Sequence, residues 1–209
     1  MMLPGAGPWR SDNPPSGFSP FPDTAVQLSV GDRFVQIAKQ FGDRVAVSSP
    51  SAHWTYSELL AEVRRISGGV GARLNDFGPT PVAVLAQHDG PLVAAILGVI
   101  SAGHVVVILD PTAPPSQSAA AVAACGAPLL LHDETFAELA RSIVIDGRVS
   151  AALVDLHEVR GDAGVAEGLG PDTPMMLAFT SGTSGEPKGA IITHGVLMNL
   201  VRGATNALG

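Results

Sequence analysis

From Ser29 onward the apolar positions alternate between two spacings. Phe34, Ile37, Ala38 and Phe41 recur at helical intervals behind Ser29, with Asp32 three residues on as part of a capping signal, until Gly42 stops the pattern. Arg44 to Ser48 and His53 to Tyr56 then read as short strands around the turn-forming Ser49-Pro50-Ser51, and Ser57 is expected to cap a second helix. Leu59, Val63, Ile66, Val70 and Leu74 line one face of that helix. Gly68, Gly69 and Gly71 each weaken it by up to ~1 kcal/mol relative to Ala.

Strand and helix patterns alternate from there. The spacing predicts a strand over Val82 to Ala86, a helix from Pro91, a strand over Val105 to Leu109, an Ala-rich helix around Ser118 to Cys125 and a strand over Pro128 to Leu131. Beyond these it predicts a short helix near Asp133 to Arg141, strand pieces at Ile143 to Ile145 and Ala151 to Leu156, a strand at Met175 to Phe179 and a last helix over Val196 to Leu208. The Gly-, Asp-, Glu- and Pro-containing stretch between Leu156 and Pro174 reads as a connecting loop. Repeated alternation of this kind implies an α/β fold: a mainly parallel sheet with layers of helices. Leu92 to Leu109 is long enough to span a bilayer at ~1.5 Å per residue. However, Gly103 and His104 divide it into a run of helix formers and a β-branched run ended by Asp110-Pro111, so it reads as helix, turn and buried strand.

Composition narrows the function classes. Twelve Lys and Arg against 19 Asp and Glu give a net charge of −7, which leaves no basic field for nucleic acid or an anionic membrane surface. With 46% apolar and 15% charged residues, against the usual ~25% charged, the chain has a core to bury and is not disordered throughout. The single Cys, Cys125, cannot form an internal disulfide, and no apolar signal segment opens the chain, so a reducing cytoplasm is expected. Residues 1–25 are expected to be a disordered leader, since Pro4, Pro8, Pro14, Pro15, Pro20 and Pro22 deprive it of backbone donors and periodicity.

The segment that carries chemistry is LAFTSGTSGEPKGAIITH, residues 177 to 194. An apolar strand leads into a loop of hydroxyls and glycines, then Pro187-Lys188-Gly189, then a second apolar run. Gly182, Gly185 and Gly189 can take up positive φ and bring successive backbone N–H groups close to an anion. Thr180, Ser181, Thr183 and Ser184 offer hydroxyl donors, and Lys188 supplies a point charge; Glu186 has the wrong sign and is expected to point away. A plain Ser/Gly linker would not be clamped between Met176-Leu177-Ala178-Phe179 and Ala190-Ile191-Ile192. Gly189 after Lys188 excludes a Walker A loop, and Glu186 after Gly185 excludes a hydrolase nucleophile elbow.

TSGTSGEPKG resembles the signature phosphate loop of the adenylate-forming (AMP-dependent synthetase/ligase) superfamily, which includes acyl-CoA synthetases and the adenylation domains of nonribosomal peptide synthetases. Trp54-Thr55-Tyr56-Ser57-Glu58-Leu59 resembles the family's early Thr-Tyr-x-Glu-Leu motif, and Leu97 to Gly103 with Val106 to Pro111 resembles its Ala-Gly-x-x-x-Val-Pro-Leu-Asp-Pro segment. The opening helix followed by Gly42-Asp43-Arg44-Val45-Ala46 is similar to its usual start. Ser184 stands for a common Thr, Ser101 for a frequent Lys and Ile108 for a frequent Pro.

The resemblance implies an incomplete N-terminal portion of the adenylate-forming fold over residues 26–209, a partial AMP-binding domain whose C-terminal subdomains are absent. It also implies ATP-dependent activation of a carboxylic acid to an acyl-adenylate, with Mg²⁺, and later transfer to the thiol of CoA or of a carrier protein's pantetheine. Residues 97 to 111 lean toward an amino acid substrate. Within this reading Thr180, Ser181, Gly182, Thr183, Ser184, Gly185 and Lys188 bind the β- and γ-phosphates, and Lys188 stabilises charge on the leaving pyrophosphate. The family's ribose-binding Asp, hinge and C-terminal catalytic Lys have no counterpart in the chain. Full activity alone is therefore not expected, and exposed apolar surface is. The alternatives are a non-catalytic remnant, one half of a split protein needing a complementary chain, or an unrelated α/β nucleotide-binding module.

Other candidates read blandly. His53, His88, His104, His132, His157 and His194 lack metal-ligand spacing; His194, just after the phosphate loop's second strand, is expected to serve structure or start a helix. Trp54 and Tyr56 are expected to pack, Asp110 to end a strand, Arg160-Gly161-Asp162 to form a loop turn, and Cys125 to be buried rather than reactive.

Overall fold

The run Val82-Ala83-Val84-Leu85 is completely buried, as a strand covered on both faces must be. It forms the interior of β3 (Pro81–Leu85) in a sheet that contains five further strands among the described residues. These are β4 (Val105–Ile108), β5 (Leu129–His132), β6 (Ala152–Asp155), β7 (Pro174–Thr180) and β8 (Lys188–Thr193), in the order β6-β5-β3-β4-β7-β8. The computed structural model describes residues 20–49, 52–74, 78–180 and 188–208. All pairings in the sheet are parallel except the last, in which β8 runs antiparallel to β7. A separate antiparallel ribbon joins β1 (Val45–Ser48) to β2 (His53–Thr55).

Helices cover both faces. On one face α1 (Val30–Gln40), α2 (Tyr56–Leu74) and α3 (Gly90–Ser101) pack around Val63, Ile66, Val70, Val99 and Ile100. On the other, α4 (Pro115–Cys125) and α5 (Ala137–Ile145) close over Ala83, Leu85, Val107 and Leu130. The last helix, α6 (His194–Leu208), packs on β8, α1 and the short 3₁₀ turn Asp23–Gln27, where Phe21, Ala25 and Met198 form a small cluster of their own. Among the described residues no helix is long and apolar enough to cross a membrane, and Leu92 to Leu109 divides into α3 and β4.

Two local expectations are corrected. The helix expected to be capped by Ser57 begins two residues earlier, at Tyr56: the Glu58 amide donates to Thr55 Oγ1 (3.2 Å), while Glu58 Oε2 accepts from the Thr55 amide (2.7 Å). This reciprocal capping box makes Thr55 the N-cap and, chiefly through the Thr55 amide and then its hydroxyl, holds the Glu58 carboxyl below its ordinary value. Ile143 to Ile145 is the last turn of α5 rather than a strand, because Ala140 and Ile143, three apart, are both buried while Ile145 faces solvent. Helical periodicity overrides the β-branched preference there.

The glycines of α2 prove to be points of contact. A Cβ on Gly69 would lie 2.3 Å from Val159 Cγ1, and one on Gly161 would lie 2.3 Å from the Gly69 nitrogen and 2.4 Å from the Gly68 carbonyl carbon. The Arg160-Gly161-Asp162 segment, which is not the turn expected of it, is therefore seated on the helix backbone itself, fixed by Arg65, whose Nη1 donates to the Leu156 and Val159 carbonyls at 2.8 and 2.6 Å. Gly98 allows the same close approach between α3 and Ile66 of α2.

Near this junction Ser101 Oγ is buried with no hydrogen-bond partner, and it is the nearest atom that a Cβ on Gly31 would meet. An orphaned hydroxyl costs more than the apolar group that replaces it. Ser101→Ala is accordingly expected to raise stability by about 1 kcal/mol in urea unfolding; a loss of that size would show that the hydroxyl has a partner in solution.

Candidate functional site

The sequence places its chemistry between two apolar runs, and these runs form the β7–β8 hairpin. Its register pairs Leu177 with Ile191, Ala178 with Ala190, Phe179 with Gly189 and Thr180 with Lys188. Thr180 and Lys188 thus stand opposite each other at the end of the ladder, where directly opposed residues are about 4.5–5.5 Å apart between Cα atoms. Ser181, Gly182, Thr183, Ser184 and Gly185 lie outside the described residues, together with Glu186 and Pro187.

Because β7 is parallel to β4, its Thr180 end belongs to the carboxyl edge of the sheet, the edge at which open α/β sheets bind ligands. Val106 pairs with Met176, so Asp110 and Thr180, each four residues on, reach the same level of that edge. Asp110 Oδ1 accepts from the Thr112 hydroxyl (2.7 Å) and amide (2.8 Å), and these bonds hold its carboxyl below its ordinary value. It ends the strand in a turn, as expected, with the Ala113 amide donating to its carbonyl.

Gly189 is corrected. It lies within β8 and is not among the glycines at positive φ; its missing side chain leaves room for Leu177 Cδ1, which a Cβ would approach to 2.9 Å. Its role in the described residues is packing inside the hairpin, while Gly182 and Gly185 remain candidates for contact with an anion.

His194 occupies the other end of the hairpin and starts α6, as expected. Its amide donates to the Thr173 carbonyl (3.1 Å), just before β7, and its side chain is 1% exposed. Nδ1 accepts the Val30 amide of α1 at 3.0 Å, so the imidazole is neutral with its proton on Nε2. Burial pushes its pKa down, against a smaller upward pull from Asp32. The Ser29 hydroxyl accepts the Asp32 amide at 3.0 Å, so the two side chains satisfy two of the orphan donors of α1. Sequence reasoning missed this bond; its partners lie 164 residues apart and no local pattern signals it.

The remaining candidates behave as packing groups. Trp54 packs against the core beside Gly90, Tyr56 meets Phe34 at 6.5 Å between ring centroids, and burial pushes the half-buried Cys125 thiol up. Among the described residues no group of three His, Cys, Asp or Glu could hold a metal ion. The hydroxyl, amide and ammonium donors of residues 180–188 suit phosphate oxygens, and a Mg²⁺ ion would be carried by the phosphates themselves. A groove of about 930 Å³ opens at the opposite, amino edge of the sheet, lined by Gly68, Gly103, His104, Gly164 and Leu169, away from the candidate phosphate-binding segment.

Comparison with known proteins gives a consistent result. The family model described as AMP-binding enzyme matches residues 34–208. A hybrid PKS-NRPS synthetase of Dothistroma septosporum is 31% identical over 198 residues, which is 93% of this chain and 5% of that protein. Among solved structures, the nonribosomal peptide synthetase FmoA3 in its α-methyl-L-serine-AMP-bound form is 25% identical with a TM-score of 0.71, over 84% of this chain and 19% of that one. The anthranilate CoA ligase AuaEII in complex with anthranoyl-AMP shares the fold, at 16% identity and TM-score 0.71, over 81% of this chain and 34% of its own. The chain thus spans only a small part of the length of the relatives it matches.

Proposed function

Since the chain belongs to the AMP-binding enzyme family, we propose that it takes part in ATP-dependent carboxylate activation and that the β7–β8 hairpin carries its phosphate-binding segment. The observation that supports this most is the pairing of Thr180 with Lys188 at the carboxyl edge, which sets the two ends of TSGTSGEPK side by side. The N–H and hydroxyl groups of the residues between them are the kind of donors that phosphate oxygens accept from. In this reading Thr180, Ser181, Gly182, Thr183, Ser184, Gly185 and Lys188 hold the β- and γ-phosphates of ATP. A carboxylate oxygen attacks the α-phosphorus, the bond to the bridging oxygen breaks, and pyrophosphate leaves with the added negative charge. Lys188 and the loop amides stabilise that charge by preorganised electrostatics. Mg²⁺, when bound to the phosphates, supplies further charge neutralisation. The substrate is a carboxylic acid, with an amino acid favoured by the Leu97 to Pro111 segment and by the synthetase relatives; the acceptor is a thiol of CoA or a carrier protein, in the cytoplasm.

A second reading, in which the chain acts only with a complementary polypeptide, is favoured by exposed apolar residues on β8 and α6: Ile191 and Leu200 are 67% exposed and Val196 58%. One experiment addresses both readings. Carboxylate-dependent ATP–pyrophosphate exchange is measured with the chain alone, then with the remainder of an adenylation domain supplied in trans. Exchange only in the second case is expected. Exchange by the chain alone would remove the need for a complement, and absence of exchange together with absence of ATP binding would refute the phosphate assignment.

A further inference from the structure

We propose that His194 is a positioning residue for the hairpin: its neutral imidazole pins the root of β7–β8 to the first turn of α1, and protonation releases the pin. The consequence for nucleotide binding rests on the phosphate reading above; the pin itself does not.

The geometry is specific. His194 follows β8 directly, its amide donates to the carbonyl of Thr173 just before β7, and the next amide, of Gly195, donates to the Pro171 carbonyl at 2.8 Å. Both strands of the hairpin therefore converge on this one residue, and its ring makes the bond from them to α1. From there the ladder runs without a further register shift from Met176–Ile192 to Thr180–Lys188, so a displaced root moves the far end as a unit. Protonation of Nδ1 would set an N–H against the Val30 N–H inside a site that is 1% exposed, removing the acceptor and burying a charge.

Among the charged groups on the neighbouring elements, Asp32 of α1 acts on the ring in favour of protonation and is outweighed by burial. Arg33 of α1 lies over the Phe21 ring, and Arg202 of α6 pairs with Asp23 of the 3₁₀ turn. Asp172 precedes β7, and Lys39 and Lys188 stand at the far ends of α1 and β8. The sign follows directly. The imidazole titrates lower in the closed state than when opened, so opening takes up a proton and the pin is stable above the ordinary imidazole value of about 6.5 and is lost as pH falls below it.

The test is amide hydrogen exchange on the full chain at pH 7.5 and 5.5, corrected for intrinsic rates, for wild type, His194→Asn and His194→Ala. Asparagine offers Oδ1 near the position of Nδ1 but does not titrate. In wild type the opening constants of the Val30 amide and the β7–β8 amides should rise up to about tenfold between the two pH values, the limit for one imidazole titrating near 6.5 when open. His194→Asn should abolish that rise. His194→Ala should open more at both pH values, and if it fails to fold, wild type and His194→Asn still decide. A flat wild-type response, or the same rise in His194→Asn, would overturn the proposal. ATP affinity is measured alongside as the ratio of wild type to His194→Asn, which cancels titration of ATP itself. A ratio that falls on acidification supports the positioning role, and an unchanged ratio overturns it. Absence of ATP binding in both proteins with the exchange pattern intact would refute the phosphate reading and leave the pin standing.

Discussion

Lys188→Ala is expected to lower the rate of carboxylate-dependent ATP–pyrophosphate exchange by about 10²–10³-fold, in whichever assembly of this chain supports exchange, with little change in thermal stability. The magnitude is that of removing one preorganised donor from a developing anion in a site shielded from water. Stability should hold because alanine keeps the backbone pairing of position 188 with Thr180 at the end of the ladder. If the ammonium acts mainly on charge that grows as pyrophosphate departs, kcat falls more than the KM for ATP rises; if it grips ground-state ATP, the reverse holds. Lys188→Arg keeps the charge but changes its shape and should recover only part of the rate. Unchanged exchange in Lys188→Ala, with melting and ATP binding also unchanged, would exclude the assigned role.

The second large effect concerns the fold. Gly161→Ala is expected to destabilise the protein by on the order of 3 kcal/mol or more, because the new methyl collides with main-chain atoms of α2 that no rotamer change can move. Relief would require the 156–164 segment to lift from the helix, at the expense of the two Arg65 bonds and the bond from Ser67 Oγ to the Gly164 carbonyl (3.1 Å). Gly71, on the same helix, meets nothing within 4 Å, so Gly71→Ala should instead stabilise by about 0.5–1 kcal/mol through helix propensity. Thermal melts read both: with about 2–4 °C per kcal/mol for a chain of this size, Gly161→Ala should melt roughly 10 °C lower and Gly71→Ala slightly higher. Shifts of the same sign would contradict the seating of the Gly161 segment on the helix.

These two glycines mark where local reading stopped. On sequence grounds Gly68, Gly69 and Gly71 are three equivalent weak points of one helix; only the seating of Gly161 separates the first two from the third. The Ser29 cap was readable because its partner is three residues away, and the Thr55–Glu58 box had the same local signature. The bond from Val30 to His194 had none, and Gly189 could not be assigned to packing without knowing that Leu177 leans across it.

Periodicity, glycine placement and the run TSGTSGEPKG determined by themselves the α/β class, nearly every element and the family, since these depend on contacts within a few residues or on a contiguous motif. Which strand neighbours which, the antiparallel turn of β8, the pairing of Thr180 with Lys188 and the neutral state of His194 were decided only by the tertiary structure. The reason is physical: strand order, close backbone approach and desolvation of an imidazole depend on tertiary partners, as far as 164 residues apart for Val30 and His194, and no local propensity records them.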